Sequence, residues 1–383
     1  MTAAPTRGRH LWFLVEALRG GGAERVIARL LQHWPPGDRL TLVTFLPVED
    51  AYPLPPGVER VRLLPPRWLP RPLMLAWALA AVLARLVVAR PDVVVSFLPR
   101  ANAMNALSTW LPLRAHRAIV SERNSIDALP AGAQRRLLLL RRHVYRWADR
   151  VVAVSEGVAR ELAEEGLPAE RIVAIPNFVD AVELREQSRA AAAPFRAHHI
   201  VFVGRLEPQK GVDLLLRAMK LVLRHVPDAT LEIIGRGGEE TRLGRLAEDL
   251  GIGDRVTQGG AFNPNPFPAI AAATVFVLPS RAEGFPNTLL EAMALGVPCV
   301  ATDCHWGPSE LVTDGETGIL VPPHDTVALA EALTALLLDD ARRAALGRAA
   351  AERAGAFTPE RMVTRWAEVV EAAAAGPAAV ESR

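Results

Sequence analysis

The chain runs twice through one alternation: short, continuously apolar stretches rich in β-branched residues, each followed by a longer Ala-, Leu- and Arg-rich stretch of helical character. The first series of candidate strands is 11–15, 40–45, 93–97, 118–121, 151–154 and 172–175; the second is 200–203, 231–234, 275–278 and 297–301. Strands that are apolar throughout, not in alternation, need cover on both faces, as in parallel sheets flanked by helices. Two such series predict an α/β chain of two doubly wound domains. A length of 383 residues is also too great for one ordinary core. The expected domains are 1–185 and 194–357, joined across 180–194, where strand signal is lost. A closing helix follows over 358–375, with Pro359 in its first turn and an Ala-rich end after Glu371 expected to fray. Ligands of open α/β sheets gather at the carboxyl ends of the strands. Two sheets facing one another would define an interdomain cleft, so strand-to-helix loops are the places to search.

The most informative loop is Glu283-Gly-Phe-Pro-Asn-Thr-Leu-Leu-Glu291, after the candidate strand 275–278 and opening a helix near Pro286 and Asn287. Free amides at a helix N-terminus bind phosphate, and Thr288 and Leu289 are expected to present them. Glu283 precedes the helix and Glu291 lies about a turn inside it. One carboxylate can meet sugar hydroxyls while the other accepts from a ribose diol; the plainer alternative is a capping acid and a structural acid. A second loop, Gly204-Arg-Leu-Glu-Pro-Gln-Lys210-Gly211, carries two cations suited to a pyrophosphate whose charge grows as a sugar bond breaks. Of 44 basic residues only Lys210 and Lys220 are lysines, which points to a compact point-charge contact at Lys210. A surface pair with Glu207 is the rival reading. Three further loops follow strands: Gly20-Gly21-Gly22-Ala23, Gly235-Arg236-Gly237-Gly238 and Ser121-Glu122-Arg123-Asn124. The first lets a ligand approach the backbone or is a plain turn. The second could border a nucleobase. The third places a cation and an amide at the rim or is an ordinary loop.

Charge is unevenly spread. Residues 1–180 carry 24 Arg against 16 acids, and the remainder 20 basic residues against 26 acids. A basic front half suits an anionic partner, or reflects an Arg-rich composition. Cys299 and Cys304 make no disulfide framework, and no His/Cys array has zinc spacing, so a reduced, cytoplasmic chain is expected. Residues 11–15 are too short for a signal-peptide core. Residues 73–89 are nearly all apolar but hold Arg85, and a helix packed on a sheet fits them better than a membrane span. Residues 134–150, QRRLLLLRRHVYRWADR, read as one basic helix. With Trp68 and Arg71 it suits peripheral contact with an anionic membrane, or its arginines are simply solvated.

Taken together these loops resemble the retaining glycosyltransferase family 4, of two-Rossmann-domain (GT-B) fold. The likeness spans GGAER at 21–25, AVSEGVARELAEEGLPAERIVAIPNFVD at 153–180, GRLEPQKGVDLLLRAM at 204–219, NPNPFPAIAAATVFVLPSRAEGFPNTLLEAMALGVPCVATDC at 263–304 and GPSELVTDGETGILVPPHD at 307–325. The family's Glu-x7-Glu signature is matched in full. The resemblance implies an acceptor-binding N-terminal domain, a nucleotide-sugar-binding C-terminal domain and a last helix crossing back to the first. It implies Arg205 and Lys210 on the donor diphosphate, Glu283 on the transferred sugar and Glu291 on the ribose. Gly284, Phe285, Pro286 and Asn287 to Leu289 would wrap the sugar and β-phosphate, and Gly235 and Arg236 would line the donor site. Gly21, Gly22, Ala23, Arg123 and Asn124 are the acceptor-side candidates. The implied reaction is front-face transfer without metal or cofactor, the donor phosphate taking the acceptor's proton.

Many relatives carry a His where 121–124 has none, and Asn-Phe-Val follows Pro176 where Asn-Gly-Val is common. The Asn- and Pro-rich loop with Phe267 resembles members that use UDP-sugars to build polysaccharide, lipopolysaccharide or lipid-linked oligosaccharide. The expected function is therefore transfer of a hexose or N-acetylhexosamine to a glycan or lipid-linked acceptor, with no nucleic-acid partner. The alternatives are a GDP-mannose-dependent mannosyltransferase, a UDP-sugar epimerase and a non-catalytic nucleotide-sugar-binding protein. A pyridoxal-phosphate phosphorylase would need a Schiff-base lysine, for which only Lys210 and Lys220 exist.

Overall fold

A computed structural model describes residues 8–19, 21–66, 68–110, 116–190, 194–259 and 265–376. Gly20, part of the 180–194 join, the first residues of the loop before Phe267 and the end of the Ala-rich tail lie outside the described residues. The chain divides into two compact units, 1–126 with 130–176 and 359–383, and 127–129 with 177–358.

In the first unit β1 (His10–Val15), β2 (Arg39–Thr44), β3 (Glu59–Arg62), β4 (Val93–Phe97), β5 (Arg117–Glu122), β6 (Arg150–Ala153) and β7 (Ile172–Ala174) form one sheet. Its order is β3-β2-β1-β4-β5-β6-β7, parallel throughout. Helices α1 (Gly22–Gln32), α2 (Arg71–Ala89), α3 (Pro99–Ser108), α4 (Ala131–His143) and α5 (Glu156–Glu164) connect the strands. The stretch expected to pack on a sheet does so as α2: Ala78, Val82 and Leu86, four residues apart, are buried with Trp12, Leu14 and Val94. Its other face leaves Leu73, Val87 and Val88 exposed. Among the described residues no helix is long and apolar enough to cross a membrane.

In the second unit β8 (His199–Val203), β9 (Thr230–Ile234), β10 (Val256–Gly259), β11 (Val275–Leu278), β12 (Cys299–Thr302) and β13 (Ile319–Val321) form a parallel sheet ordered β10-β9-β8-β11-β12-β13. Its helices are α6 (Ala181–Ala190), α7 (Val212–Val222), α8 (Glu240–Asp249), α9 (Phe267–Ala272), α10 (Asn287–Ala294), α11 (Pro308–Leu311), α12 (Thr326–Leu338) and α13 (Asp340–Ala354). The strand order reverses between β8 and β11, which makes a crevice at the carboxyl ends of these neighbours. The last helix, α14 (Pro359–Ala375), packs in the first unit, where buried Trp366 lies 5.5 Å from Phe97 and Arg365 donates to the Ala174 carbonyl at 2.6 Å.

Several expectations need correction. The candidate strands omitted β3, β10 and β13, which all lie at sheet edges; β3 (ERVR) and β10 (VTQG) are polar enough to lack a continuous apolar run. The strand expected at 297–301 begins at Cys299, because the Val297 amide still closes the preceding helix onto the Ala292 carbonyl. The 180–194 join contains a helix, α6. The closing helix runs past Glu371 to Ala375, held by buried Ala373. Residues 134–150 are not one helix: α4 ends at His143, a short 3-10 turn covers Tyr145–Trp147, and β6 begins at Arg150. Nor are its arginines all solvated, since Arg141 is buried among carboxylates.

Candidate functional site

The loops after β8 and β11 leave the sheet side by side at the strand-order reversal. Lys210 Nζ sits 2.5 Å from Glu283 Oε1, and the same oxygen accepts from Ser280 Oγ at 2.6 Å. The pairing with Glu207 does not form; Glu207 instead accepts the Lys210 amide through its backbone carbonyl at 2.9 Å. Ser280 is in turn tied down, its carbonyl accepting from Thr302 Oγ1. An ammonium has three protons to donate, so contact with Glu283 leaves Lys210 able to meet an anion. Arg205 is exposed, with no ion pair among the described residues.

Past Glu283 the chain turns into α10. Among the described residues the amides of Gly284, Phe285, Asn287 and Thr288 meet no acceptor, whereas that of Leu289 is bonded to the Pro286 carbonyl at 3.1 Å. The expected phosphate donor at Leu289 is thus withdrawn by the tight first turn of the helix, and the open amides lie one to five residues earlier. Amides left open beside the positive end of a helix are a geometry that favours anions. Asn287 Oδ1 accepts from Asn177 Nδ2 at 2.5 Å, which orients the amide group at the helix start. Glu291 is buried in α10. The following loop supports this turn: the Glu283 amide donates to the His305 carbonyl at 3.3 Å. A Cβ on Gly307 would come within 2.8 Å of the Pro286 ring.

Gly235 and Arg236 stand opposite the 204–206 segment. The Arg236 carbonyl accepts the Leu206 amide at 2.8 Å. A Cβ on Gly235, whose φ is 153°, would overlap the Gly204 carbonyl at 1.8 Å, so only glycine permits this approach. Arg205, Lys210, Gly235, Arg236, Glu283 to Leu289 and Glu291 are thereby gathered on the loops after β8, β9 and β11 and in α10.

In the first unit Gly21, Gly22 and Ala23 form the start of α1, where Glu24 folds its carboxylate back to the Gly21 amide at 2.5 Å. Burial pushes the Glu24 carboxyl above its ordinary range. Arg123 is not at a rim, as expected, but buried: its guanidinium lies 5.8 Å from the centre of the Phe97 ring and donates to Ser121 Oγ at 3.4 Å. Burial lowers it to about 9. The amides of Arg123 and Asn124 both donate to Glu122 Oε1. Glu122 also belongs to a cage that sequence reasoning missed. Arg141, fully buried, meets Glu122, Glu161 and Glu165, and Tyr145 Oη donates to Glu122 at 3.0 Å. The cage fixes the 124–126 loop: Arg141 donates to the Asn124 carbonyl, and Ser125 Oγ and the Ile126 amide donate to Glu161. Glu161 and Glu165, four apart on and just after α5, were the only available signal.

Residues 185–353 match the family described as glycosyl transferases group 1, and 20–183 match glycosyltransferase family 4. A GDP-mannose-dependent alpha-(1-6)-phosphatidylinositol monomannoside mannosyltransferase of Mycobacterium tuberculosis is 31% identical over 276 residues, 64% of this chain and 70% of that protein. A D-inositol 3-phosphate glycosyltransferase of Nocardia farcinica is 36% identical over 58% of this chain and 51% of its own length. An exopolysaccharide phosphotransferase of Streptomyces coelicolor is 35% identical, with 23% of its length matched. The chain thus spans from about a quarter to about half of the length of the latter two. Among solved structures, sucrose-phosphate synthase from Thermosynechococcus elongatus superposes with a TM-score of 0.79 at 22% identity, over 96% of this chain and all of that one. Anabaena HepE in complex with UDP-glucose gives 0.76 at 22%, over 95% and 100%. At these identities the superpositions establish the fold, two Rossmann-like units of GT-B type.

Proposed function

The chain belongs to glycosyltransferase family 4, and from that membership we propose that it moves a hexose or N-acetylhexosamine from a UDP-sugar to a glycan or lipid-linked acceptor in cell-surface polysaccharide, lipopolysaccharide or glycolipid synthesis. The observation that carries this reading is the Lys210–Glu283 contact beside amides that meet no acceptor at the start of α10. A departing diphosphate gains negative charge as the sugar bond breaks. Fixed positive groups aimed at that charge lower the barrier because they need no rearrangement. Lys210, Arg205 and the amides of Gly284, Phe285, Asn287 and Thr288 take that role. Glu283, already oriented by Ser280 and Lys210, accepts from hydroxyls of the transferred sugar, and Glu291 binds the ribose. Gly235 and Arg236 border the donor. Transfer is front-face and retaining: the donor phosphate takes the acceptor's proton, so no protein nucleophile, metal or cofactor takes part. The acceptor is held by the first unit, through Gly21 to Ala23 and the loop of Asn124.

One specific observation favours a second donor. Relatives of 31% and 40% identity are named as GDP-mannose-dependent mannosyltransferases, so GDP-mannose is the rival to UDP-sugars. The exposed Trp68 and Trp110 and the exposed Arg142 and Arg146 of the first unit suit peripheral contact with anionic lipid on the cytoplasmic face. Salt-independent failure to sediment with anionic liposomes would remove that part.

The experiment is nucleoside diphosphate release from UDP-glucose, UDP-galactose, UDP-N-acetylglucosamine, UDP-N-acetylgalactosamine and GDP-mannose, with and without EDTA. We expect one donor to dominate and EDTA to leave its rate unchanged. Binding of every donor with turnover of none would reject an enzyme in favour of a nucleotide-sugar-binding protein.

A further inference from the structure

Lys210 and Glu283 reach each other from separate loops, the second of them tied to the 305 segment by a single bridge at Ala282. What joins them is a set of contacts centred on Arg281. Its Nη1 donates to the Pro208 carbonyl at 2.7 Å and to Asp213 Oδ1 at 2.8 Å, while Nη2 donates to Asp213 Oδ2 at 2.8 Å. The Arg281 amide donates to the Gln209 carbonyl at 2.7 Å, and Gln209 Nε2 returns a bond to the Ala282 carbonyl at 2.7 Å. These bonds bracket Lys210 on one loop and end at Ala282, next to Glu283, on the other. Gly211 closes the approach: its φ is 65°, and a Cβ there would lie 2.0 Å from the Pro279 carbonyl.

Resting on the donor-site reading above, we propose that Arg281 is a positioning residue for the reaction, anchored by Asp213 and acting through the 208–211 loop to place the Lys210 ammonium. The guanidinium suits the task because it is planar and always charged. It can hold a carboxylate with a two-pronged contact while one nitrogen also reaches a carbonyl. A lysine in its place carries the charge but has no rigid fork. Its guanidinium contacts the Pro208 carbonyl and Asp213, so its effect on chemistry passes through the backbone of the loop. Asp213 is suited to remain ionised as the anchor: burial raises its pKa, but the bonds and charge of Arg281 outweigh this and hold it below the usual carboxylate range.

The test is a double-mutant cycle read by nucleoside diphosphate release from the fastest of the five donors named above, with thermal midpoints recorded for each variant. Arg281→Lys should lower kcat on the order of tenfold, since small displacements of a catalytic group are costly, with donor KM within about twofold. In a Lys210→Ala background the same change should cost less than about twofold, because the group being positioned is gone. Asp213→Asn, which keeps Arg281 and its bond to Pro208, serves if Arg281→Lys fails to fold and should show the same dependence on Lys210. Equal losses in both backgrounds, or a change confined to KM, would overturn positioning through Lys210 while leaving the donor site intact. If Lys210→Ala is itself without effect, the donor-site reading fails, and this inference with it.

Discussion

In the first unit Arg141 is shut away behind Glu122, Glu161 and Glu165, with Tyr145 closing the same cluster. In the second, Lys210 meets one carboxylate beside amides that meet no acceptor among the described residues. Both are short contacts between a cation and acids near the carboxyl end of a parallel sheet, yet they differ in what is left over. The Arg141 cage spends its donors on the protein, including the Asn124 carbonyl, and so it shapes a loop. The Lys210 pair keeps donors in reserve next to a helix N-terminus, which is the condition for binding an outside anion. Buried charge signals function only when the protein leaves it unfinished.

The largest effect should come from opening the cage. Arg141→Ala would leave buried Glu122 and Glu161, and half-buried Glu165, without their cation, and removing one partner of a buried pair costs about 3–5 kcal/mol. Urea denaturation should show the midpoint falling by a corresponding amount; an unchanged midpoint would mean the cluster is hydrated in solution. Next is Lys210→Ala, which should lose at least about tenfold in donor turnover, because one charged contact to a leaving phosphate is worth about 1.5–3 kcal/mol. Its thermal midpoint should move much less than that of Arg141→Ala. A variant that loses stability but keeps turnover would erase the contrast between the two units. Glu291→Gln should be milder still, weakening donor binding severalfold in a calorimetric titration while leaving the preferred sugar unchanged. A switch in the preferred sugar would move Glu291 from the ribose to the transferred group.

The same contrast explains what could be read from the sequence. Continuous apolar runs gave away the central strands of both sheets, since strands covered on two faces leave few polar positions. Edge strands such as β3 (Glu59–Arg62), with charge at Glu59, Arg60 and Arg62, have no continuous apolar run and escaped. The Glu283–Glu291 run and Lys210 were legible because loop, glycines and helix start fall within a few residues of each other. That Lys210 chooses Glu283, 73 positions away, over nearby Glu207 depends on β8 pairing with β11, which no local pattern encodes. Arg281 and Asp213 were missed for the same reason, being 68 residues apart. Arg141 was misread outright: in the string QRRLLLLRRH an inward arginine looks like its solvated neighbours, and only its distant partners Glu122, Glu161 and Glu165 distinguish it.

The smallest expected effect is a pH signature that differs in sign between the two clusters. Burial outweighs Arg141 at Glu165 and raises its carboxyl above the ordinary 4.5. At Asp213 the bonds and charge of Arg281 outweigh burial, and the carboxyl drops below 3.8. Between 4.5 and its folded pKa, Glu165 holds more protons folded than unfolded, so its contribution to stability falls as pH rises through that window. Asp213 holds fewer protons folded than unfolded between its folded pKa and 3.8, so its contribution is present above that window and is lost as pH falls through it. Glu165→Gln should therefore flatten the decline of stability above pH 4.5, and Asp213→Asn should flatten the loss below pH 3.8. Urea midpoints measured across both windows for the two variants and the parent chain would show it. Flattening on the same side of both windows would mean that Glu165 is governed by its charge partner, as Asp213 is, and that the cage is less closed than its geometry implies.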